Sequence, residues 1–218
     1  MIEGIIFDMD GVLIDSHPVH RHAWRKFLAT VGKIVSDEEL GFILEGRRRD
    51  EILRHFLGDL PASKIVEYSH QKDLFFQENF FDVRVIPGVR EFLQKLESAK
   101  LKTAIATSAS AVRTSGTLRR LQWEGKFSVV VTGDDVEAGK PDPAVYNLTS
   151  QRMNLPSDRL LAFEDAPCGI QAAKSAGIRC IGVSTNGRAE VLRRCGAELV
   201  IPDFCNRSLE RLLELSSA

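Results

Sequence analysis

Residues 5–14 read Ile-Ile-Phe-Asp-Met-Asp-Gly-Val-Leu-Ile, and no other stretch limits so strongly what this chain can fold into. A short apolar run rich in β-branched residues marks a buried parallel strand. The run ends at Asp8, a second carboxylate follows at Asp10, and Gly11 comes next. Residues i and i+2 of a strand face one side, so Asp8 and Asp10 are expected side by side where the strand meets its loop. Two ionised carboxylates that close repel unless a cation or a shared proton relieves them. A carboxylate nucleophile, an acid/base and a divalent cation are the equipment for moving a phosphoryl group. The same two acids also suit a plainer role, capping a turn at a strand end.

Beyond this strand the pattern is helical for about 70 residues, which is too long for a loop. Ala23, Trp24, Phe27 and Leu28 recur at helical spacing, as do Leu40, Ile43 and Leu44, and then Ile52, Leu53, Phe56 and Leu57. A helical pattern also covers 64–81. After Pro87-Gly88 the rhythm changes. Helices are predicted over 89–99, 111–123, 143–153, 170–176 and 189–195, and strands over 102–106, 128–131, 160–163, 179–183 and 199–201. Strands alternating with helices imply a doubly wound, Rossmann-like α/β core with a parallel sheet. The division expected is a core made of residues 1–15 and 86–218, with a helical cap of residues 16–85 inserted into it.

In such a sheet ligands sit beyond the carboxyl ends of the strands. The first strand places Asp8 and Asp10 there, the second Thr107 and Ser108, and the fourth Glu164 and Asp165. Before that last strand, Gly139-Lys140-Pro141-Asp142-Pro143 offers a lysine in a stiff turn. Pro141 biases Lys140 towards extended backbone, from which it can reach over the sheet edge as a point charge for phosphate. Each piece alone has a structural use: a strand-end threonine, a solvated turn lysine, acids at a helix start. Acids for a cation, with a lysine and a hydroxyl on one sheet edge, match the needs of a phosphoryl group.

These motifs, in this order, resemble the haloacid dehalogenase-like superfamily, in its branch with a helical cap that includes β-phosphoglucomutase and sugar phosphatases. The resemblance rests on Phe7-Asp8-Met9-Asp10-Gly11, Ala106-Thr107-Ser108, Gly139–Pro143 and Phe163-Glu164-Asp165-Ala166, and it spans essentially the whole chain. It implies that Asp8 is the nucleophile forming an aspartyl-phosphate and that Asp10 is the general acid and base. It implies a Mg2+ site from Asp8, the Asp10 backbone carbonyl, Glu164 and Asp165, with Thr107, Ser108 and Lys140 gripping the phosphoryl oxygens. The His-x-x-Ala-Trp of the cap resembles that of mutase and sugar-phosphatase relatives. On that ground His20, Trp24, Arg49 and Lys72 are expected to face the substrate, although Trp24 also suits the cap's own core and the others suit its surface.

Together these features point to a magnesium-dependent phosphatase of a small phosphorylated metabolite, a sugar phosphate. The alternative is a β-phosphoglucomutase-like isomerase. The mutase pattern has Lys-Asn after the second motif, where this chain has Ala111-Val112. A non-catalytic phosphoacceptor signalling domain is a third reading; the Asp-x-Asp and the long insert speak against it. The formal net charge of −1 gives no field for nucleic acid or an anionic membrane. Cys168, Cys180, Cys195 and Cys205 lack metal-site spacing and read as free thiols of a reducing compartment. A cytoplasmic enzyme is expected, as a monomer or weak homodimer, with no nucleic-acid or membrane partner.

Overall fold

The computed structural model of the chain describes residues 1–185 and 187–214. Residues 186 and 215–218, which the expected core division includes, lie outside the described residues. In chain order the elements are β1 (Gly4–Phe7), β2 (Ile14–Asp15), α1 (His17–Thr30), α2 (Arg49–Leu57), α3 (Ala62–Glu78), β3 (Arg84–Val85), α4 (Val89–Ser98) and β4 (Lys102–Ala106). They continue with α5 (Ala111–Leu121), β5 (Val129–Val131), α6 (Ala144–Met153), β6 (Leu160–Glu164), α7 (Pro167–Ser175), β7 (Arg179–Val183), α8 (Ala189–Arg194), β8 (Leu199–Ile201) and α9 (Leu209–Glu214).

Six strands form one sheet in the order β5-β4-β1-β6-β7-β8, every neighbouring pair parallel. β1 is buried throughout, with β4 on one side and β6 on the other. The strand order reverses next to β1, and the carboxyl ends of β1, β4 and β6 therefore open onto one crevice. One face of the sheet is an aromatic layer. Phe7 stacks on Phe163 with centroids 5.3 Å apart, and Phe92 and Phe204 close around them. Each such ring pair adds roughly 0.5–1.5 kcal/mol beyond the area it buries. The other face packs Ile6, Tyr146, Ala162, Ile170 and Leu192.

The residues between β2 and β3 pair with no strand of the sheet. Trp24, Phe27, Leu28, Leu40, Ile52, Leu53 and Phe56 form a separate apolar cluster there. The stretch around Leu40, Ile43 and Leu44, expected as α-helix, is a 3-10 helix over Glu39–Leu44. No sequence pattern marks strands at the two crossings into this insertion, yet they pair as an antiparallel ribbon, Ile14 against Val85 and Asp15 against Arg84. Two-residue strands are too short for an alternating pattern to show.

Candidate active site

Lys140 is the hub of the crevice. Its side chain is 1% exposed, and its Nζ donates to Asp8 Oδ1 at 2.6 Å, to Glu164 Oε1 at 2.6 Å and to the Ala106 carbonyl at 3.0 Å. It thereby ties the ends of β1, β4 and β6 together. Tyr146 on α6 donates its hydroxyl to Glu164 Oε1 at 2.8 Å, and the amide of Asp165 donates to Glu164 Oε2 at 3.0 Å. Gly169 on α7 leaves the room this carboxylate needs, since a Cβ there would stand 1.9 Å from Glu164 Oε1.

Burial alone lowers the pKa of a lysine, but here Asp8 and Glu164 outweigh it and hold Lys140 above its ordinary range. Asp8 is pushed up to about 7 because burial outweighs the attraction of Lys140. Burial likewise raises Glu164 and Asp165.

Asp8, Glu164 and Asp165 are all buried, and one oxygen from each lies within 4.8 Å of the others. One lysine cannot neutralise three such carboxylates. Asp165 Oδ2 is buried with His17 Nε2 3.0 Å away, and Asp165 outweighs burial to hold His17 above its ordinary range. Close-set, all-oxygen donors whose three negative charges exceed those of the two cations beside them, Lys140 and His17, fit a hard divalent cation such as Mg2+.

Asp10 departs from the expectation that it stands beside Asp8 on the strand. β1 stops at Phe7, and the chain turns through Gly11 at a φ of 79°. The Asp10 side chain lines the same cavity as the other acids but is held by partners of its own. Arg113 Nη1 donates to Asp10 Oδ1 at 3.0 Å and Nη2 to Oδ2 at 2.5 Å. Ser16 donates to Oδ1 at 2.6 Å, and His20 Nε2 lies 3.4 Å from the same oxygen. Burial opposes ionisation of Asp10, but Arg113 and His20 outweigh it and hold the carboxyl well below its ordinary range. Its side chain is not among the three clustered acids, and the metal role expected of Asp10 is that of its backbone carbonyl.

The other expected residues divide. Thr107 is buried at the end of β4, lines the cavity, and accepts from the Ala109 amide at 3.1 Å. Ser108 lines the cavity too, but its hydroxyl donates to the Gly46 carbonyl of the insertion at 2.8 Å, so it joins core to insertion. Arg49 and Lys72 line the same cavity. Arg49 is paired with Asp73. Lys72 is buried, with Nζ 3.0 Å from His20 Nδ1. Burial pulls Lys72 down to about 7, and burial with Lys72 beside it pulls His20 down to about 3. Trp24 is not among the residues lining the cavity: it is 2% exposed and packs edge-on against Phe27 in the insertion's apolar cluster, with the Lys72 Nζ 5.5 Å from its ring.

Three residues that no sequence pattern singles out stand in this site: His17, Tyr146 and Arg113. His17 directly follows the joint at Ser16, a position that could have drawn notice. Arg113 lies one helical turn beyond Ser110, whose hydroxyl caps α5 by accepting from the Arg113 amide. Nothing local marks it as the partner of an acid 103 residues away. The insertion also meets the core through Arg48, which donates to the carbonyls of Val136 and Glu137 at 2.9 Å, and through the Cys168 amide, which donates to Glu45.

The model of the haloacid dehalogenase-like hydrolase family matches residues 5–183. A phosphorylated carbohydrates phosphatase of Thermotoga maritima is 34% identical, over 97% of this chain and all of that protein. A β-phosphoglucomutase of Bacillus subtilis is 29% identical, over 98% of this chain and 95% of its own. Among solved structures, a β-phosphoglucomutase of Clostridium difficile superposes with a TM-score of 0.89 at 25% identity, over 100% of this chain and 98% of the other.

Proposed function

This chain belongs to the haloacid dehalogenase-like hydrolase family, and on that premise we propose that it is a magnesium-dependent phosphatase of sugar phosphates working through an aspartyl-phosphate. The observation that carries this is the convergence of Asp8, Glu164 and Asp165 with Lys140 at adjacent strand ends. The names of relatives such as the phosphorylated carbohydrates phosphatase and a hexitol phosphatase of Escherichia coli support the substrate class.

In this mechanism Asp8 attacks phosphorus and the ester P–O bond breaks. Asp10, ionised while Arg113 holds it, takes up a proton from solvent as its contacts rearrange around the substrate and passes it to the departing sugar oxygen. Water then gives a proton to Asp10 and attacks the aspartyl-phosphate, which releases inorganic phosphate and restores Asp8. Lys140 and Thr107 hold the phosphoryl oxygens. Asp8, Glu164, Asp165 and the Asp10 carbonyl would hold Mg2+, which when bound offsets the charge gathering on the phosphoryl group. The helical insertion acts as the cap that excludes bulk water, with Arg49, Lys72 and His20 turned to the sugar and with Ser108 and Arg48 joining cap to core.

The mutase-like relatives favour a second reading, intramolecular phosphoryl transfer. That chemistry needs a free cationic site for a second phosphate. Here Val112 is exposed, Arg113 is engaged by Asp10 and Arg49 by Asp73. With the far phosphate weakly held, water should win. The test is incubation with Mg2+ and a panel of phosphorylated sugars that includes β-glucose 1-phosphate, with product identification. Free sugar and phosphate, without stimulation by glucose 1,6-bisphosphate, support the phosphatase. Glucose 6-phosphate with little phosphate released makes the mutase the better reading.

A further inference from the structure

The catalytic cavity has a volume of about 80 Å³. At roughly 10–15 Å³ for each water-sized occupant, it takes about five to eight such atoms, a phosphoryl group and the near edge of the sugar that carries it. The body of any larger ester must lie somewhere else. A second cleft of about 400 Å³ adjoins the first, and Arg49, Ser108 and Arg113 line both. Asp73, the partner of Arg49, lines only the outer one, so this ion pair stands at the passage between them.

The outer cleft runs between α3 of the insertion and the start of α5. Its walls carry Val66 at 70% exposure, Leu74 at 45% and Val112 at 76%. Seven large apolar residues are exposed among the described residues, and these are three of them. Lone exposed apolar residues are ordinary, whereas a group of them along a concave surface marks a binding site. The charges on the lining are balanced, Arg48, Arg49 and Arg113 against Asp50, Asp73 and Asp134. That balance suits neither a second phosphate nor a cation. With His70 and Gln77 also present, it suits a neutral body whose hydroxyl edge meets polar groups while its C–H face lies on Val66, Leu74 and Val112.

We infer that the outer cleft binds the distal ring of a disaccharide-like phosphate ester, the phosphorylated end of which enters the inner cavity. This rests on the phosphatase reading and names its substrate class. The experiment compares kcat/KM for glucose 6-phosphate with that for trehalose 6-phosphate and sucrose 6-phosphate, in the full chain with Mg2+ and in a Leu74→Gln/Val112→Gln double variant. Both side chains are exposed and neither belongs to the catalytic set. The expected result is a preference for one of the disaccharide esters by roughly tenfold, the effect of burying one modest apolar face. The double variant should lose that preference through a raised KM and leave glucose 6-phosphate unchanged. Equal or better turnover of glucose 6-phosphate by the unmodified enzyme would overturn the inference alone, as would an equal loss on all three esters in the variant. Absence of phosphate release from every ester would overturn the phosphatase reading with it.

Discussion

Arg113 and Asp10 meet as a fork on a fork, two N–H groups on two carboxylate oxygens, from elements 103 residues apart. The planar guanidinium fixes both the direction and the plane of the carboxylate, which a lysine could not do. Under the proposed mechanism this is the carboxyl that must meet the leaving oxygen. Arg113→Ala should lower sugar-phosphate turnover by roughly 10–100-fold, within what a misplaced acid–base group costs. Arg113→Lys should fall between. Steady-state phosphate release by the two variants decides it, and Arg113→Ala within about twofold of the parent enzyme would show that the pair is structural only.

Asp8→Asn should abolish turnover, because an amide is a poor nucleophile. The same change removes one of three crowded buried acids, so the metal-free protein should melt at a higher temperature than its parent. Mg2+ should raise the melting temperature of the parent and do so less in the variant, since one ligand is gone. Thermal melts with Mg2+ and with a chelator test both halves; a variant that gains as much from Mg2+ as the parent does would remove Asp8 from the metal site.

Gly169→Ala carries the smallest possible change to the site. The new methyl would stand 1.9 Å from Glu164 Oε1, and the φ there is no obstacle, so the whole effect is displacement of that carboxylate. Glu164 would lose its hold on Lys140 and Tyr146. The expected outcome is a loss of affinity for Mg2+ by roughly 10–100-fold, the usual cost of disturbing a metal ligand's support, measured by calorimetric titration. Unaltered affinity would place Glu164 outside the metal site.

Lys72 predicts a pH effect of definite sign. Its folded pKa is about 7, drawn down by burial from 10.5. Between those values the unfolded chain binds a proton that the folded chain does not, so stability rises with pH from about 7 towards 10.5. Below about 7 both states are protonated and the penalty is present in full. Lys72→Met should therefore raise the melting temperature at pH 6 and flatten the rise between pH 7 and 9.5, while turnover falls as the cap cation is lost. A melting profile that keeps its slope in the variant would assign the pH dependence to other groups.

Short apolar runs and period-3.6 patterns in the sequence carry the sheet and most helices, Glu164 and Asp165 are legible because they follow a strand, and Lys140 because it stands in a Pro-rich turn. Asp10 is not legible in the same way. Its side-chain direction depends on where β1 stops and how Gly11 turns, and a one-residue shift in a strand end reverses a face. Arg113 is hidden because a long-range ion pair leaves no periodic trace. Trp24 is ambiguous because an aromatic at helical spacing reads the same whether it faces a partner helix or a ligand.

The ribbon of β2 and β3 has a mechanical consequence. Had the insertion been tethered by two separate strings, it could swivel about either. Its two tethers are instead stitched to each other, Ile14 to Val85 and Asp15 to Arg84, and they cross as one flat strap. A strap bends more readily across its width than it twists, so it would confine any movement of the insertion to one direction. Ser16, His17 and His20 lie on the first turn beyond it, against Asp10 and Asp165.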